Sequence, residues 1–187
     1  MNDYPQRKLN RLKDYDYSLE GAYFVTICVK NMREVLGKIV NKQPVLSEYG
    51  LVIVREIEYI SKIRKECVVE KYVVMPNHIH MIVHIVGDDG NRPVVLRWAC
   101  PAQTDDCSGK LRTDCENKRA DCHPPLRKSV SNMVQGFKGA VTRQIGYSIW
   151  QRSYYDHIIR NEDEYRKIWE YIDANPTNWG EDEYYAL

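Results

Sequence analysis

Residues 72–86 read YVVMPNHIHMIVHIV, a long apolar run broken by Pro76-Asn77 and carrying His78, His80 and His84. Aliphatic stretches on both sides of a Pro-Asn pair predict a strand, a kink or turn, and a second strand. Residues two apart on a strand share a face. His78 and His80 therefore project side by side, while Ile79 and Met81 point the opposite way into a core. Two adjacent imidazoles have the geometry to share a cation, but two ligands alone hold a metal weakly and a third donor is required. The same pair would also suit the exposed edge of a strand, so the rest of the chain has to decide. His84 keeps the same face but lies about 13 Å from His80 on strand geometry, too far to share an ion.

The flanking sequence places that segment in a mixed fold. Residues 22–30, AYFVTICVK, are β-branched and aromatic and predict a strand. EVLGKIVNKQPVLS predicts a short strand ending in a turn. In SEYGLVIVREIEYISKIRK, Val52, Ile53, Ile57, Ile60 and Ile63 recur at helical spacing after a Ser47 cap. SVSNMVQGFKGAVTRQIG places Val130, Met133, Val134, Phe137, Val141 and Ile145 on one helical face. YSIWQRSYYDHIIR is strand-like. NEDEYRKIWEYIDANP is a helix with Asn161 as its cap, acids in its first turn and Asn175-Pro176 as its stop. The order β-β-α-β-β-loop-α-β-α predicts an α+β fold, an antiparallel sheet with helices packed on one face. Residues 1–187 read as a single domain with a variable loop or insertion at about 87–126, where periodicity is lost.

Charge and cysteine content narrow the setting. Lys+Arg 27 against Asp+Glu 26 leaves the chain near neutral, so any nucleic-acid contact must come from local patches. No apolar run reaches the about 18 residues of a membrane span, and the N-terminus lacks the apolar core of a signal sequence, which predicts a cytoplasmic protein without membrane contact. Six cysteines in that compartment do not predict a disulfide framework. Cys28 and Cys67 read as small core residues. Cys100, Cys107, Cys115 and Cys122, three of them in Asp-Cys pairs, lack the close Cys-x₂₋₄-Cys spacing of structural zinc sites and read as part of the insertion.

A second constellation lies in the last helix. Tyr171 and Asn175 are four apart and share a face one turn apart. An amide oxygen suits a hard cation such as Mg²⁺ or Mn²⁺, and a phenol one turn away can attack an electrophile held by that ion.

Taken together these motifs resemble a known family. VVMPNHIHMIV is similar to the His-hydrophobic-His core of the HUH single-strand DNA endonucleases, and its Met-Pro-Asn lead-in resembles the REP-associated tyrosine transposases. YDYSLEGAYFVTICVKN, GFKGAVTRQI and IWQRSYYDHIIRNEDEYRKIWEYIDANPTNWG agree in order. The resemblance implies a ferredoxin-like antiparallel sheet with the histidines on a central strand, His78 and His80 as metal ligands, and Tyr171 as the nucleophile. Asn175 falls where the broader family supplies a polar third ligand.

The resemblance further implies a transesterase that cleaves and rejoins single-stranded or hairpin DNA through a 5′-phosphotyrosine with Mg²⁺ or Mn²⁺, acting as a monomer or homodimer. Basic and aromatic groups suited to DNA are present at Arg7, Lys8, Arg11 and Lys13, at Arg127, Lys128, Lys138 and Arg143, and at Arg152 beside Tyr154 and Tyr155. Asp156 and His157 match the family's DH-x-x-R block, in either a structural or a catalytic role. The alternative is a non-catalytic hairpin-binding protein derived from such an enzyme. A water-using nucleotide hydrolase has no carboxylate cluster near the histidines to support it.

Overall fold

The computed structural model describes residues 20–86, 129–182, 184 and 185. Strand β1 spans Gly21–Cys28 and leads through a turn at Lys30–Met32 to a hairpin of β2 (Gly37–Val40) and β3 (Gln43–Leu46). Helix α1 spans Glu48–Ile63, β4 spans Cys67–Val74 and β5 spans His78–Ile85. After residue 128 come α2 (Val130–Ile145), β6 (Tyr155–Ile159), α3 (Glu162–Ala174) and a short 3₁₀ turn at Trp179–Glu181.

The expected α+β antiparallel fold is present. Four strands form one sheet in the order β4-β5-β1-β6, every pair antiparallel, so the histidine strand β5 is central. The link from β4 to β5 is tight, with the Met75 amide donating to the His78 carbonyl at 2.9 Å.

Strand parity divides the core. Tyr23, Val25 and Ile27 of β1 and Ile79, Met81, Val83 and Ile85 of β5 point to one face. There they meet Ile53, Ile57 and Ile60 of α1 and Met133, Val134, Phe137 and Val141 of α2. Both helices are capped, α1 as the sequence predicts: Ser47 Oγ accepts from the Gly50 amide at 3.2 Å and Ser129 Oγ from the Asn132 amide at 3.3 Å.

Two features differ from expectation. The segment after β1 is a full hairpin, because Asn41 and Lys42 take φ of 51° and 62° in a two-residue turn whose twist suits antiparallel strands. The helices do not all share a face. Helix α3 carries Tyr165, Ile168, Trp169 and Ile172 as an apolar stripe, which packs on the opposite side of the sheet against Ala22, Ile82 and Ile159. This smaller second core brings α3 to the face where His78 and His80 point.

Candidate metal centre and nucleophile

Two neighbours fix the histidines on β5. In the β1–β5 register Thr26 lies directly opposite His80, and its hydroxyl sits 2.8 Å from His80 Nδ1. His78 Nδ1 lies 2.8 Å from Asn77 Oδ1. Asn77 is oriented by its amide nitrogen, which donates to the carbonyls of Met32 at 3.2 Å and Tyr184 at 2.7 Å. Its oxygen is thereby turned to His78, so Nδ1 of His78 carries the proton and Nε2 presents a lone pair. That Nε2 is buried without a hydrogen-bond partner among the described residues.

Both imidazoles are held neutral. Burial pushes the His78 pKa down to about 4, with the Asp182 carboxylate opposing the shift. Burial, and then the neighbouring His78, holds His80 well below the usual histidine range. The neutral ring is the form that ligates a metal, so these nitrogens are available at neutral pH without proton competition.

The third donor comes from beyond α3. His78, His80 and Asp182 each offer a ligand atom, all within 4.8 Å of one another. Asp182 is held by two donors: Asn175 Nδ2 reaches its Oδ2 at 2.6 Å, and the Tyr184 amide reaches its Oδ1 at 2.7 Å. Asn175, the expected third ligand, is buried beside the site, with Nδ2 given to Asp182 and Oδ1 without a partner among the described residues. An unpaired imidazole lone pair beside a carboxylate is a set of acceptors lacking a donor, which a divalent cation relieves. Two imidazoles and one carboxylate fit Mn²⁺ or Mg²⁺ while leaving coordination positions open for substrate oxygens.

Helix α3 brings Tyr171 to the same place. Its hydroxyl lies 3.3 Å from His80 Nε2, and its ring meets Phe24 edge-on. Tyr171 is 41% exposed, unlike the histidines beneath it. It opens into a cleft of about 730 Å³ whose walls include Phe24, Tyr155, Tyr184, Asn178, Glu181 and Asp182. Among the described residues no Lys or Arg lines that cleft.

The remaining sequence-predicted positions are dispersed. His84 does not line the cleft; its Nε2 lies 2.6 Å from Glu70 Oε2, which also accepts the Tyr165 hydroxyl at 2.7 Å. Lys138 donates to the carbonyls of Gln151 at 2.9 Å and Ser153 at 2.8 Å, and burial lowers its pKa to about 8. Arg143 and Arg152 are exposed. His157 Nε2 meets Glu164 Oε1 at 2.6 Å, tying β6 to the first turn of α3. Arg7, Lys8, Arg11, Lys13, Arg127, Lys128 and the cysteines from Cys100 to Cys122 lie outside the described residues. The sequence reading missed Asp182, Asn77 and Thr26. Strand pairing alone could have pointed to Thr26; Asp182 lies just past the NPTNWG block and carries no spacing signal.

No family model matches the chain. An uncharacterised protein of Haemophilus influenzae (strain Rd) is 33% identical over 188 residues, spanning 96% of this chain and 93% of that protein. Among solved structures, a REP-associated tyrosine transposase bound to a REP hairpin superposes with a TM-score of 0.57 at 20% identity, over 91% of this chain and 75% of that one. The likeness bears out, at the level of fold, the resemblance read in the sequence. No helix among the described residues is long and apolar enough to cross a membrane.

Proposed function

We propose, from the premise that this chain belongs to one family with the Haemophilus influenzae protein and has the fold of a REP-associated tyrosine transposase, that it is a metal-dependent single-strand DNA transesterase. Its substrate is single-stranded DNA carrying a hairpin, a reading supported by the structural neighbour's being bound to a REP hairpin. The observation that carries this reading is that Tyr171, His80 and Asp182 line one cleft, with His78 clustered against His80 and Asp182.

When bound, Mg²⁺ or Mn²⁺ supplies Lewis acidity at the non-bridging phosphate oxygens and offsets the charge that develops there. His78, His80 and Asp182 would hold it. Glu181 and Asp182 line the cleft and no cation does among the described residues, so an unneutralised phosphate would be repelled there.

Tyr171 is the nucleophile. Its Oη forms a bond to phosphorus, the P–O3′ bond breaks, and the DNA 5′ end is left as a phosphotyrosine ester. The phenolic proton leaves to solvent in the open cleft, and the departing O3′ takes one up as a 3′-hydroxyl. The ester conserves the phosphodiester bond energy, so attack by a 3′-hydroxyl reverses the step and rejoins strands. The Tyr171 ring is held by Phe24 and His80, which limits its swing to an arc over the site.

Exposed Arg143 and Arg152 are suited to the DNA backbone outside the cleft, joined by Arg7, Lys8, Arg11, Lys13, Arg127 and Lys128. The reading is tested by incubating the protein with end-labelled hairpin DNA, with Mn²⁺ or with EDTA. Cleavage in Mn²⁺ alone supports it. Hairpin binding that persists in EDTA with no cleavage under any metal would leave a binding protein instead.

A further inference from the structure

Asn77 is fully buried in the link between β4 and β5, and its side chain serves three separate parts of the chain. Its oxygen orients the His78 ring at 2.8 Å. Its amide nitrogen donates to Met32 O, in the turn after β1, and to Tyr184 O, in the C-terminal segment. Both Asn31 and Met32 in that turn have left-handed φ, 59° and 52°, a conformation that costs energy for methionine and is retained only when its surroundings hold it.

The segment that Asn77 holds lies over the histidines. The Tyr184 ring packs 4.6 Å from His78 and 5.8 Å from His80, and Trp179 lies 5.9 Å from His78, all between ring centroids. The same segment carries Asp182, whose Oδ1 accepts from the Tyr184 amide. One peptide unit apart, then, Tyr184 uses its amide to aim the carboxylate donor and its carbonyl to grip the amide that aims a histidine donor.

We infer that Asn77 is a positioning residue that couples the metal site to docking of the C-terminal segment, so that filling the site and closing Trp179, Asp182 and Tyr184 over it are one equilibrium. The inference rests on the metal site proposed above. Its physical basis is linkage: an undocked segment withdraws Asp182, leaves two imidazoles, and binds the ion more weakly. By reciprocity the ion must favour the docked form by the same factor.

The experiment is hydrogen exchange by mass spectrometry on the full chain, metal-free and in Mn²⁺, with Mn²⁺ affinity measured separately by calorimetry. In the unaltered protein Mn²⁺ at saturation slows exchange across the C-terminal peptide by about tenfold or more. Asn77→Asp keeps an oxygen toward His78 but loses the donor to Tyr184 and Met32. It binds Mn²⁺ more weakly than the unaltered protein, and exchange of the C-terminal peptide is fast without metal. Thr26→Val removes only the partner of His80, so it weakens Mn²⁺ by about 10–100-fold and leaves metal-free exchange of the segment unchanged. Should Asn77→Asp fail to fold, Asp182→Asn in the same assay removes the donor and abolishes the metal response. Exchange of the C-terminal peptide that is indifferent to bound Mn²⁺ in the unaltered protein overturns the coupling. Absence of Mn²⁺ binding by calorimetry overturns the metal site itself, a distinct result.

Discussion

The Tyr171 hydroxyl lies 3.3 Å from His80 Nε2, the same lone pair that a cation at the site would take. Thr26 holds the other nitrogen of that ring, so donation by Tyr171 and ligation by His80 are mutually exclusive. Loading the site therefore detaches the phenol from histidine and leaves it to the cleft, where a phosphate would sit.

Metal affinity should depend on Asp182 and on the amide that aims it. Asp182→Asn is expected to weaken Mn²⁺ binding by more than tenfold, and Asn175→Ala by about 10–100-fold through the lost 2.6 Å contact. Asn175→Asp separates two roles. If the side chain acts by donating to Asp182, a second carboxylate in that place repels the first and the affinity falls; if it ligates through its oxygen, the affinity rises. The geometry predicts a fall. Calorimetric titration with Mn²⁺ decides, and Mg²⁺ should bind more weakly because two donors are nitrogen.

Stability without metal should depend on pH in a defined sense. Histidine titrates near 6.5 when exposed, and His78 in the folded chain near about 4. Between those values the unfolded chain binds a proton that the folded chain refuses, so stability rises with pH across the window and is lost as pH falls from about 6.5 toward 4. His78 alone accounts for up to about 3 kcal/mol, and His80 shifts in the same direction. Thermal melts in EDTA at pH 7.5, 5.5 and 4.5 measure this, and His78→Gln should flatten the slope.

Lys138 was expected at the DNA, yet its ammonium is spent on two backbone carbonyls that join α2 to the segment before β6. Lys138→Met should lower unfolding stability by about 1–3 kcal/mol and leave the salt dependence of hairpin binding nearly unchanged. Arg143→Ala and Arg152→Ala should instead each reduce the slope of log K against log salt by about one, with little change in the melt.

The second core should hold helix α3 in place. Glu70 lies at the irregularity in β4 between Val69 and Lys71. A bulge lets successive residues serve one side: Glu70 receives the Tyr165 hydroxyl, and Lys71 pairs with Asp173 at 2.5 Å and lies over the Trp169 ring. Tyr165→Phe removes the phenolic donor to Glu70 and should cost about 1–2 kcal/mol in a denaturant melt while sparing Mn²⁺ affinity.

How far the sequence carried these conclusions follows from what each signal encodes. Period-two alternation in residues 78–85 placed His78 and His80 on one face, and helical spacing placed Tyr171 beside Asn175; both are local, and both hold. In this segment a strand and a turn were expected but the second strand, β3, was not, because Asn41-Lys42 lacks the glycine that usually marks a hairpin turn. The side of the sheet that α3 takes depends on tertiary packing of the Tyr165–Ile172 stripe, which periodicity does not encode. Asp182 was invisible for the same reason: it reaches the histidines through a turn after α3, roughly a hundred residues along the chain, and a lone aspartate there has no pattern to read.

Tyr171 should be the residue that joins the protein to DNA. Hairpin DNA labelled at its 3′ end, incubated with the protein and Mn²⁺ and run under denaturing conditions, should give a covalent protein–DNA band. Tyr171→Phe should abolish that band while binding hairpin and Mn²⁺ as the unaltered protein does. A covalent band of undiminished intensity in Tyr171→Phe would contradict the assignment of the nucleophile, and with it the chemistry proposed for the cleft.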